Sequence, residues 1–295
     1  MNHSELILIG SVGGGLGAWV RIVVRDEFVA RGIASWRVVI AINLLGSALA
    51  GVAVRLNVGS FEWALFTLGF LGGFTTFSSM CVDVVVQWIV GRRRSSAIIV
   101  LSTMLGGPLV AWFGSMVAGG FIMRSAGPAV AIVPLTGRRL PHHFSGLLGI
   151  AAGGFVGTGL RISFQFLAQV VGYPVWTATA LVNSIGAGFA GFVFRWLCSL
   201  DANGVPRHEP SRRLNIERLL IFGFAGGLTT VSTLAVEIVS AFPSAPLTAG
   251  MIGLVNLVCG VAAATIGWWI ARRVFPERES FVAVHDSHSS IQETK

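Results

Sequence analysis

Long apolar stretches separated by short polar segments dominate this 295-residue chain. A helix needs about 20 apolar residues to cross the hydrocarbon layer of a membrane. Eight runs come close to that length or exceed it, at residues 6–24, 37–56, 61–90, 96–122, 145–170, 176–198, 218–242 and 246–272. The pattern predicts an all-α polytopic membrane protein with four spans on each side of a central linker.

The two groups of four spans carry the same sequence signals in the same order. Three pairs recur, namely GGGLGAWVR (13–21) with GGFVGTGLR (153–161), Asn43 with Asn183, and GFLGGFTTFSSMCVDVV (69–85) with GFAGGLTTVSTLAVEIV (223–239). In the third pair, nine of seventeen positions are identical. Internal symmetry in an apolar chain is typical of transport proteins. We therefore predict two homologous four-helix halves.

Composition agrees with a membrane setting. Hydrophobic residues make up 54% of the chain and charged residues 12%, which is too little charge to cover a soluble globule of this size. The net charge of +8 is compatible with nucleic-acid binding, but the arginines lie at span ends, where they anchor and orient a membrane protein. We expect a multi-pass protein of the cell membrane in contact with lipid, with no nucleic-acid partner.

Charge at the span ends predicts inverted orientations for the two halves. In the first half, arginines lie in the loops that follow spans one and three. The equivalent second-half loops, 169–176 and 240–248, carry no charge, and the second-half arginines lie on the opposite side. Because positively charged loops stay in the cytoplasm, we predict an N-terminus outside and a C-terminus in the cytoplasm.

Inverted halves need one additional crossing, because four spans return the chain to the side where it began. The linker is the candidate for that crossing, although Gly127, Pro128 and Pro134 disfavour a regular lipid-exposed helix. The predicted organisation is a first repeat at 1–122, a linker at 123–144, a second repeat at 145–273 and a disordered cytoplasmic tail at 274–295.

The third span of each half is predicted to be a broken helix. Paired glycines followed by Thr-Thr and further hydroxyls lower helix propensity at mid-membrane depth. A break exposes backbone carbonyls, which membrane proteins use to coordinate cations. The alternative is a packing face of small residues whose hydroxyls bond back to the helix. The residues alone leave both interpretations open.

Single polar residues inside apolar spans are costly and therefore candidates for function. Asn43 and Asn183 are able to present amide N–H donors to an anion, or to hold neighbouring helices together. The residue type fits both roles.

Charged residues inside the spans form two matching pairs. Arg21 and Arg161 lie deep in the first span of each half, and Asp83 and Glu237 follow the third-span motif. Neutralisation of an arginine by a carboxylate is favoured over a proton relay.

These motifs together resemble the Fluc/CrcB fluoride channel family. The resemblance consists of GG-x-x-G-x-x-x-R in span one, a mid-span Asn with a following Gly in span two, and GF-x-GG-x-TT-x-S in span three. It covers about 1–122 and 145–272. Members are four-span proteins that form antiparallel dimers with two fluoride pores, and eukaryotic relatives fuse two halves through a linking span. The resemblance thus implies a fused tandem member whose halves form the pseudo-dimer within one chain.

The resemblance also implies site residues. A structural Na⁺, which is not transported, would be held by backbone carbonyls of Gly72, Thr75, Gly226 and Thr229. The ion pathway would be lined by side chains of spans two and three, namely Asn43, Asn183, Phe77, Met80, Val231, Leu234, Thr76, Ser78, Thr230 and Ser232.

The chain departs from the family at the aromatic positions of the pathway. The family has two phenylalanines, three residues apart, after each Thr-Thr, and their electropositive ring edges face the dehydrating fluoride. Here those positions hold Phe77, Met80, Val231 and Leu234, so one of four rings remains. In the family each pore takes one ring from each half, which would pair Phe77 with Leu234 and Met80 with Val231. We therefore expect one competent pore, unless hydroxyls and amides suffice without rings.

Three function classes remain. The first is passive fluoride export driven by the ion gradient and the membrane potential. The second is a small antiporter of dual-topology type, which would need a carboxylate inside span one. The third is a non-conducting structural or regulatory subunit. An intramembrane enzyme is disfavoured, because no His, Cys or Asp pairs lie at catalytic spacing within the spans.

Overall fold

The computed structural model describes residues 2–56, 59–122, 144–199 and 207–275, which are helical with no strand. The first half contains α1 (His3–Ala30), α2 (Ser35–Leu56), α3 (Ser60–Glu62), the π-helix π1 (Trp63–Leu71), α4 (Gly72–Phe74), α5 (Phe77–Ile89), α6 (Arg93–Met104) and α7 (Gly106–Ile122). The second half contains α8 (Phe144–Val171), α9 (Val175–Leu197), α10 (Pro210–Ile216), the π-helix π2 (Glu217–Ala225), α11 (Gly226–Leu228), α12 (Ser232–Ala241) and α13 (Pro246–Val274).

Eight helical spans in the described part of the chain are long and apolar enough to cross a membrane. Each predicted apolar run falls on one of them, so the expected all-α polytopic membrane protein is confirmed. Helices α3, π1, α4 and α5 form the third span, α6 and α7 form the fourth, and α10, π2, α11 and α12 form the seventh. The predicted linker lies outside the described residues except for Phe144, and the predicted tail except for Val274 and Phe275.

Local sequence signals explain where several helices begin and end. Asn2 and Glu5 form a capping box at the start of α1, in which each side chain accepts a hydrogen bond from the other residue's backbone. Gly32 and Gly172 have φ of 83° and 84° after α1 and α8. This left-handed backbone is favourable for glycine and ends the first helix of each half in the same way.

Small residues allow the first and third spans of each half to touch backbone to backbone. A Cβ on Gly17 would lie 2.8 Å from the Phe74 backbone nitrogen and would also overlap the Phe70 carbonyl. In the second half, a Cβ on Gly157 would lie 2.7 Å from the Leu228 nitrogen. Close approach of this kind is how helices associate where lipid supplies no hydrophobic drive.

The two halves meet along α1 and α8, and the contacts run in opposite directions along the two helices. A Cβ added to Gly10 would meet Ile162, one added to Gly14 would meet Thr158, and one added to Gly15 would meet Ala151. Residue numbers rise along α1 while they fall along α8, which is the contact order of antiparallel helices.

Replacing Gly17 with alanine should destabilise the protein, because the added methyl would overlap backbone that has no freedom to rotate away. Gly250, inside α13, has no atom within 4 Å of an added Cβ. Gly250→Ala is therefore the matched control. Because alanine has a higher helix propensity than glycine, this variant should have an unchanged or raised melting temperature. Thermal unfolding of purified protein in detergent compares the two. Equal melting temperatures for both variants would contradict the packing described here.

Candidate functional site

The helix breaks predicted in the third spans are present in both halves. Helix α4 ends at Phe74, Thr75 and Thr76 adopt extended backbone (ψ 155° and 125°), and α5 begins at Phe77. In the second half, α11 ends at Leu228 and Thr229 is extended with ψ 150°. A π-helix precedes each break. π-Helical turns frequently accompany functional sites.

The two predicted asparagines hold the extended backbone of the breaks. Asn43 Nδ2 donates to the Thr76 carbonyl (3.0 Å), and the Thr76 N–H donates to Asn43 Oδ1 (2.9 Å). Asn183 makes the same pair with Thr230, at 3.2 and 2.9 Å. Each amide thus replaces the helical partner that the second threonine lost. These bonds are of the kind expected if the asparagines hold neighbouring helical segments together.

The first threonine of each break caps the helix of the other half. Thr75 Oγ1 accepts from the Ser232 N–H at the start of α12 (3.2 Å). Reciprocally, Thr229 Oγ1 accepts from the Ser78 N–H near the start of α5 (3.0 Å). Free N–H groups at a helix start need such acceptors. The two halves therefore complete each other's broken helices.

Further hydroxyl bonds join the two breaks. Thr75 Oγ1 shares hydrogen bonds with Ser232 Oγ (3.0 Å) and Thr230 Oγ1 (3.3 Å), and Thr229 Oγ1 donates to Ser78 Oγ (3.0 Å). All these side chains are at most 1% exposed. The sequence-predicted hydroxyls of Thr76, Ser78, Thr230 and Ser232 therefore lie in one buried cluster between the halves.

Arg21 reaches from the first half into the broken span of the second. Its guanidinium is 2% exposed and donates to the carbonyls of Phe222 and Gly226, the latter at 3.3 Å. The same group donates to the Thr75 carbonyl in its own half (3.2 Å). A single side chain thus connects the two breaks.

Arg161 forms the equivalent bridge in the opposite direction. Its Nη2 donates to the Leu68 carbonyl of the first half (2.7 Å), and its Nε donates to the Gly227 carbonyl (3.3 Å). Leu68 and Phe222 occupy matching positions, four residues before the glycine pairs. The carbonyl ends of helices carry partial negative charge, so they stabilise buried cations.

The expected neutralisation of these arginines by carboxylates stays a prediction, because within the described ranges no direct ion pair joins Arg21 or Arg161 to Asp83 or Glu237. Glu237 Oε1 instead accepts from Thr179 Oγ1 (2.6 Å). The direct hydrogen-bond partners of both guanidinium groups are instead backbone carbonyls of the broken spans.

A cavity of about 70 Å³ opens beside the break of the first half. Its lining is rich in polar groups, including Arg21, Arg25, Ser35, Thr76, Ser79 and Asp83. A space of this size accommodates water. Thr76 therefore borders a space that is large enough for water.

Two of the four carbonyls predicted for Na⁺ already have a cationic partner in this arrangement, and the Na⁺ site stays a prediction. The Thr75 and Gly226 carbonyls already accept from the Arg21 guanidinium. This group brings a positive charge onto the oxygens that a Na⁺ would need, and Arg161 lies similarly close to Gly72.

The four ring positions lie on two different faces. Helix α5 packs against α9 and α13 of the second half, with Phe77 against Gly260; we call this the Phe77 face. Helix α12 packs against α2 and α7 of the first half, with Val231 against Gly107; we call this the Val231 face. Met80 and Leu234 are also buried. Val231 and Leu234 line one narrow cavity together, and the pairing of Phe77 with Leu234 stays a prediction.

Sequence reasoning missed three buried polar residues on these faces. Asn256 of α13 accepts from Asn183 Nδ2 (2.9 Å) and is fully buried. Ser47 and Thr103 are at most 1% exposed, and their hydroxyls make no hydrogen bond in the described part of the chain. Asn256 could have been found by the rule that singled out Asn43, since it is a lone amide in an apolar span.

Replacing Thr75 tests the reciprocal caps. Thr75→Ser keeps the hydroxyl and should be mild, whereas Thr75→Val removes the acceptor for the Ser232 N–H and should lower stability by about 0.5–2 kcal/mol. Thermal unfolding in detergent measures both variants. The same melting temperature for serine and valine would show that the hydroxyl does not cap α12.

Comparison with known proteins agrees with the duplicated architecture. The sequence model of the family described as CrcB-like protein, Camphor Resistance (CrcB), matches residues 8–115 and 148–268. No solved structure gives a significant match to the chain.

Several curated relatives each correspond to about half of this chain. A protein of Hyphomonas neptunium named fluoride-specific ion channel FluC is 35% identical over 135 residues, which are 44% of this chain and 98% of that protein. FluC of Methanopyrus kandleri is 33% identical over 133 residues, 45% of this chain and 93% of its own. FluC 2 of Halalkalibacterium halodurans is 27% identical over 137 residues, 46% of this chain and 93% of its own.

A single-segment relative thus accounts for one half, while the family model matches both halves. Because the two matched segments cover more than half of the 295 residues, this chain belongs to the CrcB-like protein family, as a tandem fusion of two family segments.

Proposed function

We propose that this protein is a passive fluoride channel of the cell membrane that exports fluoride along its electrochemical gradient. The observation that carries the proposal is the double match to a family whose similar members are named fluoride-specific ion channels. The broken third spans support it, because irregular backbone at membrane depth is tolerated where protein covers it or where it lines a pathway. The mechanism needs no covalent step.

The two halves form the pseudo-dimer within one chain and lie in inverted orientation. The opposite contact order of α1 and α8 supports this, because these are the equivalent first spans of the two halves. The uncharged second-half loops at 169–176 and 240–248 support the same orientation.

Ion passage lies where the helix after one break meets spans two and four of the other half. The predicted side chains gather there, and the buried hydroxyls and amides offer O–H and N–H donors in place of water. The Phe77 face and the Val231 face carry different side chains, and one of them conducts. The structural Na⁺ is not part of this proposal.

Fluoride efflux tests the proposed function. Liposomes that contain this protein alone, loaded with potassium fluoride, should release fluoride to an external electrode when valinomycin carries the compensating potassium current. Chloride-loaded liposomes should release far less. Fluoride release no faster than from protein-free liposomes would overturn the proposal and favour a non-conducting subunit, and release that requires a proton gradient would favour an antiporter.

The inverted orientation predicts that the two chain ends lie on opposite sides of the membrane. Cysteines placed near each end should differ in labelling by a membrane-impermeant reagent on intact cells, with the N-terminal site labelled and the C-terminal site protected. Permeabilised cells provide the control for reactivity. Protection of both ends in intact cells would contradict the arrangement.

A further inference from the structure

We propose that the conducting pathway is the Val231 face, and that Asn43, Ser47 and Thr103 donate hydrogen bonds to the passing anion there. This inference rests on the proposed fluoride channel and deepens it. It assigns conduction to the face without aromatic rings, whereas the ring pattern alone favours the side of Phe77.

The first step is a comparison of equivalent positions on the two faces. Gly51 packs against Ala111 in the first half, and Gly191 packs against Ala264 in the second. These two contacts define which residues of the halves are equivalent. In this alignment Thr103 of the first half is equivalent to Asn256 of the second. Because Gly51 is equivalent to Gly191, Ser47 is equivalent to Ala187.

On the Phe77 face, the amide groups use their hydrogen bonds within the protein. Asn183 Nδ2 donates to both the Thr230 carbonyl and Asn256 Oδ1, so both of its N–H groups have partners. Asn256 Nδ2 donates to the Ile252 carbonyl (2.9 Å). Ala187 supplies no donor. This face therefore has little hydrogen-bonding capacity for an ion.

On the Val231 face, donors remain free. Asn43 Nδ2 donates once, to the Thr76 carbonyl. Its second N–H has no acceptor among the described contacts. The hydroxyls of Ser47 and Thr103 have no partner in the described ranges, although the residues are 0% and 1% exposed. An unpartnered buried hydroxyl is costly. The cost is accounted for when the hydroxyl donates a hydrogen bond to an ion that is bound only in passing.

Thr103 and Ser47 both lie close to Val231. Thr103 lines a narrow cavity together with Val231, Leu234 and Ala235. Ser47 Oγ lies 3.6 Å from the Cβ position of Gly107, as does Val231 Cγ1, so Ser47 adjoins the same wall. Asn43 lies one helical turn before Ser47 on α2. Thr103 and Ser47 thus lie beside Val231, and Asn43 follows one turn away along α2.

Passage beside Val231 requires the lining to move. The cavity has no room for a water-sized sphere in this conformation, and fluoride is close to water in size, so these side chains must shift before an ion enters and exchanges its hydration shell for protein donors. Fluoride is compact and accepts strong hydrogen bonds from O–H and N–H groups. The aliphatic side chains of Val231 and Leu234 supply shape, and the opposite wall supplies the donors.

Fluoride efflux from liposomes containing the full chain tests this assignment. Ser47→Ala and Thr103→Val should each slow efflux at least about tenfold, since each removes a hydrogen bond to a charged ligand. Thr67→Val is the matched control, because Thr67 is also a buried hydroxyl without a described partner but belongs to π1, which packs mainly against α1. Its efflux should match that of the unmodified protein.

A stability measurement separates a pathway role from a structural one. Removing an unpartnered hydroxyl should leave the melting temperature unchanged or raised, so slow efflux with normal stability supports the inference. The inference would be overturned by normal efflux in the double variant Ser47→Ala, Thr103→Val. It would also be overturned if Phe77→Ile abolished efflux while the double variant was unaffected. No efflux from the unmodified protein would instead overturn the proposed function, and the inference with it.

Discussion

The constraint that governs this structure is the satisfaction of backbone groups at a helix break inside an apolar protein. Ending α4 and α11 within the third and seventh spans leaves N–H and carbonyl groups without helical partners. Water is scarce at that depth, so each group must find a protein partner. Amides from span two, hydroxyls from the opposite half and guanidinium groups from span one supply those partners. The sequence repeats that identify the family are largely these groups.

Because many of these partners come from the other half, the break also explains how the halves associate. A cap donated across the interface is lost whenever the halves separate, so each broken helix is complete only in the assembled pair. Arg21 and Arg161 add positive charge at the carbonyl ends of both broken helices. Moving either arginine away would leave a buried cation and several carbonyls without partners, which is strongly unfavourable. Association and helix breaking are therefore one energetic problem.

Much of this arrangement could be predicted from the sequence, and the remainder depended on spatial contacts. The spans followed from apolar length, and the breaks followed from the glycine pairs and Thr-Thr, because these are local properties of the chain. The partners of Arg21 were not local, since its guanidinium donates to carbonyls 201 and 205 residues away. The hydroxyls of Ser47 and Thr103 carry no special sequence signal. Only the structure shows that they are buried and have no partner among the described residues.

Fusion of two halves in one chain removes a restriction that symmetry places on a dimer of identical subunits. In such a dimer every substitution appears on both faces, so a change that fills one face with aliphatic side chains fills the other as well. Here the halves differ, and Asn256 consumes donors on one face where Thr103 leaves a hydroxyl free on the other. The cross-half caps remain symmetric, because both broken helices need them equally. Contacts required for folding have thus stayed paired, while side chains along the two candidate pathways have diverged.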